Sequence, residues 1–333
     1  MKRIISGIQP TNNLTLGNYL GSIKEYTKFQ NEYEMYIFVA NLHSLTTRNI
    51  NPSDLLQNSR NIIKSFIACG VDPNKVNIFY QSDVIEHTML EHILMCNTTL
   101  GELNRMTQFK DKSSKAIKLN NGTEMIPTGL LIYPVLMASD ILLYDADLVP
   151  VGADQKQHLE LTRNIAIRFN NHYNINLFKI PEPSIPKVGA RIMDLQNPNI
   201  KMSKSSENHK GVIFLNDSLD ISIKKIKSAL TDNLNQIKYD IINQPGVSNL
   251  ISIYSAFSGY TIEEIEKKFQ NQNYGVLKSA IIDEYTKFHN EYIKKWNSLS
   301  DIEIDKIAKK SADNAKKIAS KKMQDVYKTI GLL

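Results

Sequence analysis

Ile4-Ile5-Ser6-Gly7-Ile8-Gln9-Pro10-Thr11 runs into Leu14-Thr15-Leu16-Gly17-Asn18-Tyr19-Leu20-Gly21, where a helical spacing of apolar residues begins. Strand, loop and helix in so short a span predict an α/β fold. Gly7 and Gly17 lack the β-carbon that would hold a ligand off the backbone, and the first helical turn offers unpaired N–H groups that favour an anion. The same turn also occurs in α/β proteins that bind no nucleotide. Farther on, apolar β-rich runs at 34–40 and 76–80 alternate with helical patterns at 53–68 and 87–95. That alternation predicts a parallel sheet with helices on both faces. The first run leads into Asn41-Leu42-His43 and the second into Gln81-Ser82-Asp83, which puts polar side chains at strand C-termini, where open α/β sheets bind ligands. His43 is thereby a candidate site residue. His87 and His92, on a helix with Glu86 and Glu91, read as an exposed face and do not form a zinc-binding HExxH pattern.

Lys201-Met202-Ser203-Lys204-Ser205 sets two ammonium groups three residues apart among small hydroxyl side chains. Lysine is a flexible point charge, and a loop carrying two of them can close on a nucleoside triphosphate and neutralise charge as it develops. Taken alone, the pentapeptide equally fits a solvated loop.

The two segments together resemble the class I aminoacyl-tRNA synthetases, in which a His-Ile-Gly-His type signature near the start of a Rossmann fold works with a Lys-Met-Ser-Lys-Ser loop at its far end. The first signature stands here as Thr15-Leu16-Gly17-Asn18, with both histidines replaced. With the Gly7-Ile8-Gln9-Pro10 lead-in, that is the form of bacterial tryptophanyl-tRNA synthetases. Gly101-Glu102-Leu103, Arg105-Met106-Thr107-Gln108-Phe109-Lys110, the run from Tyr133 to Tyr144, Gly152-Ala153-Asp154-Gln155 and Ala190-Arg191-Ile192-Met193-Asp194-Leu195 match in family order. The resemblance covers essentially the whole chain.

It implies a Rossmann-type catalytic domain over 1–212 and a mainly helical domain over 213–333 that binds the tRNA anticodon. The implied reaction is activation of L-tryptophan by ATP, with Mg2+ held mainly by the phosphates, and transfer to tRNA(Trp) by a cytoplasmic homodimer. For ATP it implies Gln9, Pro10, Thr11, Gly17, Asn18, Gly152, Ala153, Asp154, Ile192 and the loop Lys201, Met202, Ser203, Lys204 and Ser205, with Lys112 as a further phosphate contact. For tryptophan it implies Asp140, Ile5, Gly7, Gln9, His43, Tyr133, Met137 and Gln155; Lys201, Lys204, Asn18 and Gln155 would act in catalysis. Ile5 departs from relatives that often carry an aromatic there. Asp140 interrupts an apolar helical stretch, where an unpaired carboxylate is costly. An indole N–H only donates, so a fixed carboxylate in an apolar slot can select tryptophan over phenylalanine by one charge-assisted bond.

The remaining composition narrows the reading. A formal charge of +6 is compatible with a polyanionic partner and also with an ordinary lysine-rich surface. Cys69 and Cys96 are too few for a disulfide framework and lack zinc spacing, so both read as reduced, buried residues. The most apolar run, 130–143, is broken by Pro134 and Asp140, and no membrane span is expected. From residue 217 onward helical periodicity dominates, at 219–230, 247–257, 261–269, 276–299 and 301–330. The last pattern carries eight lysines against five acids, which suits either a solvated face or RNA contact. Three other readings compete: a tyrosyl enzyme, which typically shows Gly-Ser-Asp-Gln at 152–155; an RNA-binding protein that kept the fold without activation; and a small-molecule nucleotidyltransferase, which leaves the helical C-terminal region unexplained.

Overall fold

The computed structural model describes residues 1–10, 13–46, 51–114, 125–152, 155–184, 191–204 and 208–333. Five strands, β1 (Arg3–Ile8), β2 (Glu34–Val39), β3 (Val76–Tyr80), β4 (Leu148–Pro150) and β5 (Glu182–Ser184), form one sheet in the order β3-β2-β1-β4-β5. Every pairing is parallel; Ile4 stands beside Met35 and also beside Leu148, and Met35 beside Val76. Both faces are covered, so β2 reads as a continuous apolar run: Met35 through Val39 are all buried. The strand order reverses on passing from β1 to β4. Their C-terminal ends therefore diverge into a crevice, the usual ligand position in open α/β sheets.

The helix after β1 starts with α1 (Leu16–Asn18), passes through a π-turn at Tyr19–Ile23 and continues as α2 (Lys24–Phe29). Short α3 (Asn41–Ser44) follows β2, and amphipathic α4 (Pro52–Ala68) buries Ile62, Ile63, Phe66 and Ile67. After β3 come α5 (Glu86–Met95), α6 (Leu100–Asn104), α7 (Thr107–Ser113) and α8 (Thr128–Leu142), with α9 (Lys156–His172) between β4 and β5. Pro134 lies inside α8, so the carbonyl four residues earlier loses its helical donor. Helices α10 (Leu219–Lys227), α11 (Pro245–Ser258), α12 (Ile262–Lys268), α13 (Tyr274–Ser298) and α14 (Asp301–Ile330) complete the chain. None of the described helices is long and apolar enough to cross a membrane.

The expected boundary at 212 falls in a buried segment. Val212, Ile213 and Leu215 are sealed in the core, and Leu16 N donates to the Ile213 carbonyl while Leu215 N donates to that of Leu14. The last helix returns to the sheet: Asp305 of α14 accepts from Arg60 and Tyr80, and Lys322 pairs with Asp145 at 2.6 Å. Two sequence expectations need correction. Cys96 is exposed, because it caps the solvent end of α5, whereas Cys69 is buried and its thiol is pushed up by burial. Of the four α5 residues read as an exposed face only His92 is exposed; Glu86 and His87 are buried and Glu91 half-buried.

Candidate active site

The crevice holds a cavity of about 470 Å³, within the usual range for small-ligand sites. The end of β1 supplies Ile5, Gly7 and Gln9, the end of β4 supplies Val149 to Gly152, and one face of α8 supplies Tyr133, Met137, Asp140 and Ile141. Those four α8 positions recur at helical spacing, which is why they share a face. Gly7 is required by a neighbour: a β-carbon there would stand 2.5 Å from Phe38 Cζ, so its absence lets that ring lie against β1 and line the cavity. Ile5 is buried in the same wall, and Phe38 provides its aromatic surface.

Asp140 is 1% exposed, and both its oxygens are held. Gln81 Nε2 donates to Oδ1 at 2.7 Å, His87 Nδ1 lies 2.6 Å from the same oxygen, and His43 Nε2 lies 2.8 Å from Oδ2. Burial alone would raise this carboxyl. The hydrogen bonds of His43 and His87 and the fields of their rings overcome it and bring the value down to about 2, so the group is ionised throughout the working range. Burial, with a smaller push from the same charge, raises the nearby Glu91 carboxyl to about 7. Tyr133 OH donates to Gln108 Oε1 at 3.1 Å and sits 2.6 Å from His158 Nε2; burial pushes its phenol up to about 12.

The replaced signature histidines have a local reason. Thr15 Oγ1 accepts from Asn18 N at 3.2 Å, and Asn18 Oδ1 accepts from Thr15 N at 3.0 Å, a reciprocal cap on α1. With its oxygen turned onto Thr15, Asn18 lines the cavity and leaves its amide N–H groups as the donors it can offer a ligand. Lys204 also lines the cavity, half-buried and with no acidic partner among the described residues. Burial holds its ammonium down at about 8. Lys112 of α7 joins the lining with its Nζ 5.7 Å from the Tyr133 ring centre.

A family model described as tRNA synthetases class I (W and Y) matches residues 1–290. The tryptophan–tRNA ligase of Ureaplasma parvum is 56% identical over 335 residues, covering all of both chains. The chain belongs to the tryptophan–tRNA ligases of this family. Solved structures agree: a tryptophanyl-tRNA synthetase from Mycoplasma pneumoniae matches with a TM-score of 0.89 at 38% identity, over 99% of this chain and 98% of that one. That of Campylobacter jejuni, in complex with ADP and tryptophan, matches with a TM-score of 0.81 at 33% identity, over 99% of both chains.

All eight residues expected for tryptophan line the one cavity. Of those expected for ATP, Gln9, Asn18, Gly152 and Lys204 do so. Thr11, Ala153, Asp154 and Ser205 lie outside the described residues. Pro10, Ile192 and Met202 are buried away from the lining, and Lys201 is exposed. Gly17 and Ser203 also lie off it. Gly17 instead permits an approach between the two signature segments, since its β-carbon would stand 3.4 Å from Met202 Cβ and from the Met202 carbonyl oxygen. The signature loop is anchored at its base. Met202 N donates to the Ile192 carbonyl at 3.0 Å, and Asn249 of α11 clamps the Met193 peptide, accepting from its N and donating to its O at 2.9 Å each.

His87 and Tyr144 were not legible as site residues, and Gln81 was legible only as a polar residue at a strand end, with no role. For His87 a signal existed: it shares the buried face of α5 with Leu90 and Leu94, three and seven residues on.

Proposed function

We propose that this cavity is where tryptophan and ATP meet. As a tryptophan–tRNA ligase the chain forms tryptophanyl-adenylate and then charges tRNA(Trp). The amino acid's carboxylate attacks the α-phosphorus, the bond to the bridging oxygen breaks and pyrophosphate leaves; the terminal ribose hydroxyl then takes the acyl group and AMP departs. The carboxylate is already ionised, so no protein nucleophile is needed, and catalysis comes from alignment and charge stabilisation. The reading is carried by one observation: a buried, fully ionised carboxylate and a desolvated lysine with no acidic partner among the described residues line the same cavity.

In this reading the indole N–H donates to Asp140, between walls formed by Ile5, Phe38, Met137 and Ile141, while Gln9, Tyr133 and Gln155 hold the amino and carboxylate groups. Asn18, Lys112, Lys204 and Lys201 take the triphosphate, with Gly152, the stretch 152–154 and Ile192 around adenine and ribose. Magnesium would arrive on the phosphate oxygens, which suit a hard cation; Asp140, the only described carboxylate in the lining, already accepts from Gln81, His87 and His43 and keeps its remaining Oδ2 position for the indole N–H. Residues 213–333 would bear the anticodon surface, and the work would be done in the cytoplasm with tRNA as second substrate.

Pyrophosphate exchange by the purified chain, assayed with each amino acid in turn, should depend on ATP and tryptophan; exchange driven by tyrosine, or none at all, would reject the reading. We also infer a symmetric homodimer as the active form. Light scattering at assay concentration should give twice the chain mass, and a fully active monomer would refute it.

A further inference from the structure

Asp140 does not stand alone: it ends a buried relay that crosses from α8 to α5 and back. His87 has no exposed surface, and its two ring nitrogens face two different groups, Nδ1 at 2.6 Å from Asp140 Oδ1 and Nε2 at 2.8 Å from the Tyr144 hydroxyl. Tyr144 is likewise sealed, as is Gln81, whose amide shares Asp140 Oδ1. The imidazole is caged by rings, with centres at 5.7 Å for Phe38, 6.2 Å for Phe79 and 5.5 Å for Tyr144. Its backbone is tied as well, because Ser139 Oγ, next to Asp140, donates to the His87 carbonyl at 2.6 Å.

Hydrogen-bond chemistry gives this relay a direction. An ionised carboxylate only accepts, so Nδ1 must carry the proton it gives to Oδ1. Burial and the nearby charges of Asp140 and Glu86 push the Tyr144 phenol well above its usual value, so the hydroxyl keeps its proton to give to Nε2. Asp140 thereby selects the Nδ1–H tautomer of His87, and Tyr144 completes it by donating to the bare Nε2. The opposite tautomer would aim a lone pair at a buried carboxylate, a repulsion the site could relieve only by turning Asp140 away. With Oδ1 occupied by two donors, the carboxylate plane is set, and Oδ2 keeps one acceptor position beyond its bond to His43.

We propose that His87 and Tyr144 are positioning residues for amino-acid choice: they fix the rotation of Asp140 so that the open lone pair on Oδ2 meets the N–H of a heteroaromatic substrate ring. This rests on the reading that Asp140 receives the indole N–H. The alternative is a tether between α5 and α8 that has no bearing on selection.

The test compares tryptophan with its benzothienyl analogue, in which sulfur replaces the ring N–H, by the ratio of kcat/KM in pyrophosphate exchange. Asp140→Asn measures the contribution of the carboxylate itself. Tyr144→Phe removes one oxygen, His87→Leu removes the relay, and His87→Asn keeps an amide N–H near the position of Nδ1. The relay predicts a ratio lowered about tenfold in Tyr144→Phe and His87→Leu, one lost hydrogen bond's worth, with the KM for ATP unchanged and the ratio largely restored in His87→Asn. Tyr144→Phe should add nothing further in the His87→Leu background. If Asp140→Asn lowers the ratio while Tyr144→Phe and His87→Leu slow both amino acids equally, the relay is only a tether and the proposal fails, leaving the Asp140 reading intact. A ratio unmoved by Asp140→Asn overturns both. Should His87→Leu not fold, Tyr144→Phe decides alone.

Discussion

The two charged regions of the cavity are perturbed in opposite senses. Around Asp140 the charge is more stable than in water, held at about 2 by donors from three separate elements. Around Lys204 it is less stable, brought down to about 8 by burial with no described acid to offset it. A group already satisfied is suited to reading a ligand without moving. One left desolvated gains most when a counter-charge arrives, and so suits a step in which negative charge develops. The account therefore assigns selection to the first region and rate to the second.

The largest expected effect breaks the first half of that contrast. Asp140→Asn leaves a buried cluster of donors facing an amide, and kcat/KM for tryptophan should fall roughly 10²–10³-fold, as for loss of a buried charged hydrogen-bond partner. The KM for ATP should hardly change; an equal rise in both would merge the two regions into one. Lys204→Ala should lower kcat for adenylate formation by about 10², the scale for removal of one preorganised electrostatic donor. A change confined to the KM for ATP would make Lys204 a ground-state clamp instead.

The depressed lysine also carries a signed pH dependence. Its useful form is the cation, so kcat/KM for ATP should decline as pH rises through about 8. Lys204→Arg, charged at every accessible pH, should move that alkaline limb upward by more than a unit. Stability runs the other way. The unfolded chain binds this proton more tightly than the folded one, so folding gains between about 8 and the ordinary lysine value of 10.5 as pH rises. Lys204→Met should accordingly raise Tm at pH 7 while impairing activity, and a lowered Tm would contradict the desolvation account.

Smaller effects sharpen the comparison at the edges of the second region. Thr15→Ala removes half of the reciprocal cap on α1 and should cost about 1 kcal/mol in urea unfolding, with a severalfold loss in ATP affinity as Asn18 loosens. Asn249→Ala, which frees the Met193 peptide at the base of the signature loop, should lower kcat severalfold without affecting the KM for tryptophan.

Much of this was open to the sequence, for identifiable reasons. Strands 34–39 and 76–80 and the helix 301–330 are marked by periodicity and caps that act locally, and the structure places them within a residue of the patterns. The eight tryptophan candidates converge because strand ends and one helix face carry them, a geometry fixed by chain order. What escaped depends on partners far along the chain. His87 finds Asp140 and Tyr144 more than fifty residues away, so its polar neighbours in sequence suggested solvent where packing supplied a cage. The half-burial of Lys204 likewise arises from the way the signature segment is folded back toward α1, which composition around 201–205 does not encode. The segment at 212–215 lies just before the change of periodicity at 217, and its burial and its backbone bonds to Leu14 and Leu16 come from partners about two hundred residues away, which no local pattern encodes.

The division of labour is tested most directly by rapid-quench measurement of adenylate formation at saturating ATP, with tryptophan varied, for the wild type, Asp140→Asn and Lys204→Ala. The account predicts that Asp140→Asn requires far more tryptophan yet approaches the wild-type rate, while Lys204→Ala saturates at the normal tryptophan concentration with a rate about 10² lower. Equal tryptophan dependence in all three proteins, or a normal rate in Lys204→Ala, would contradict it.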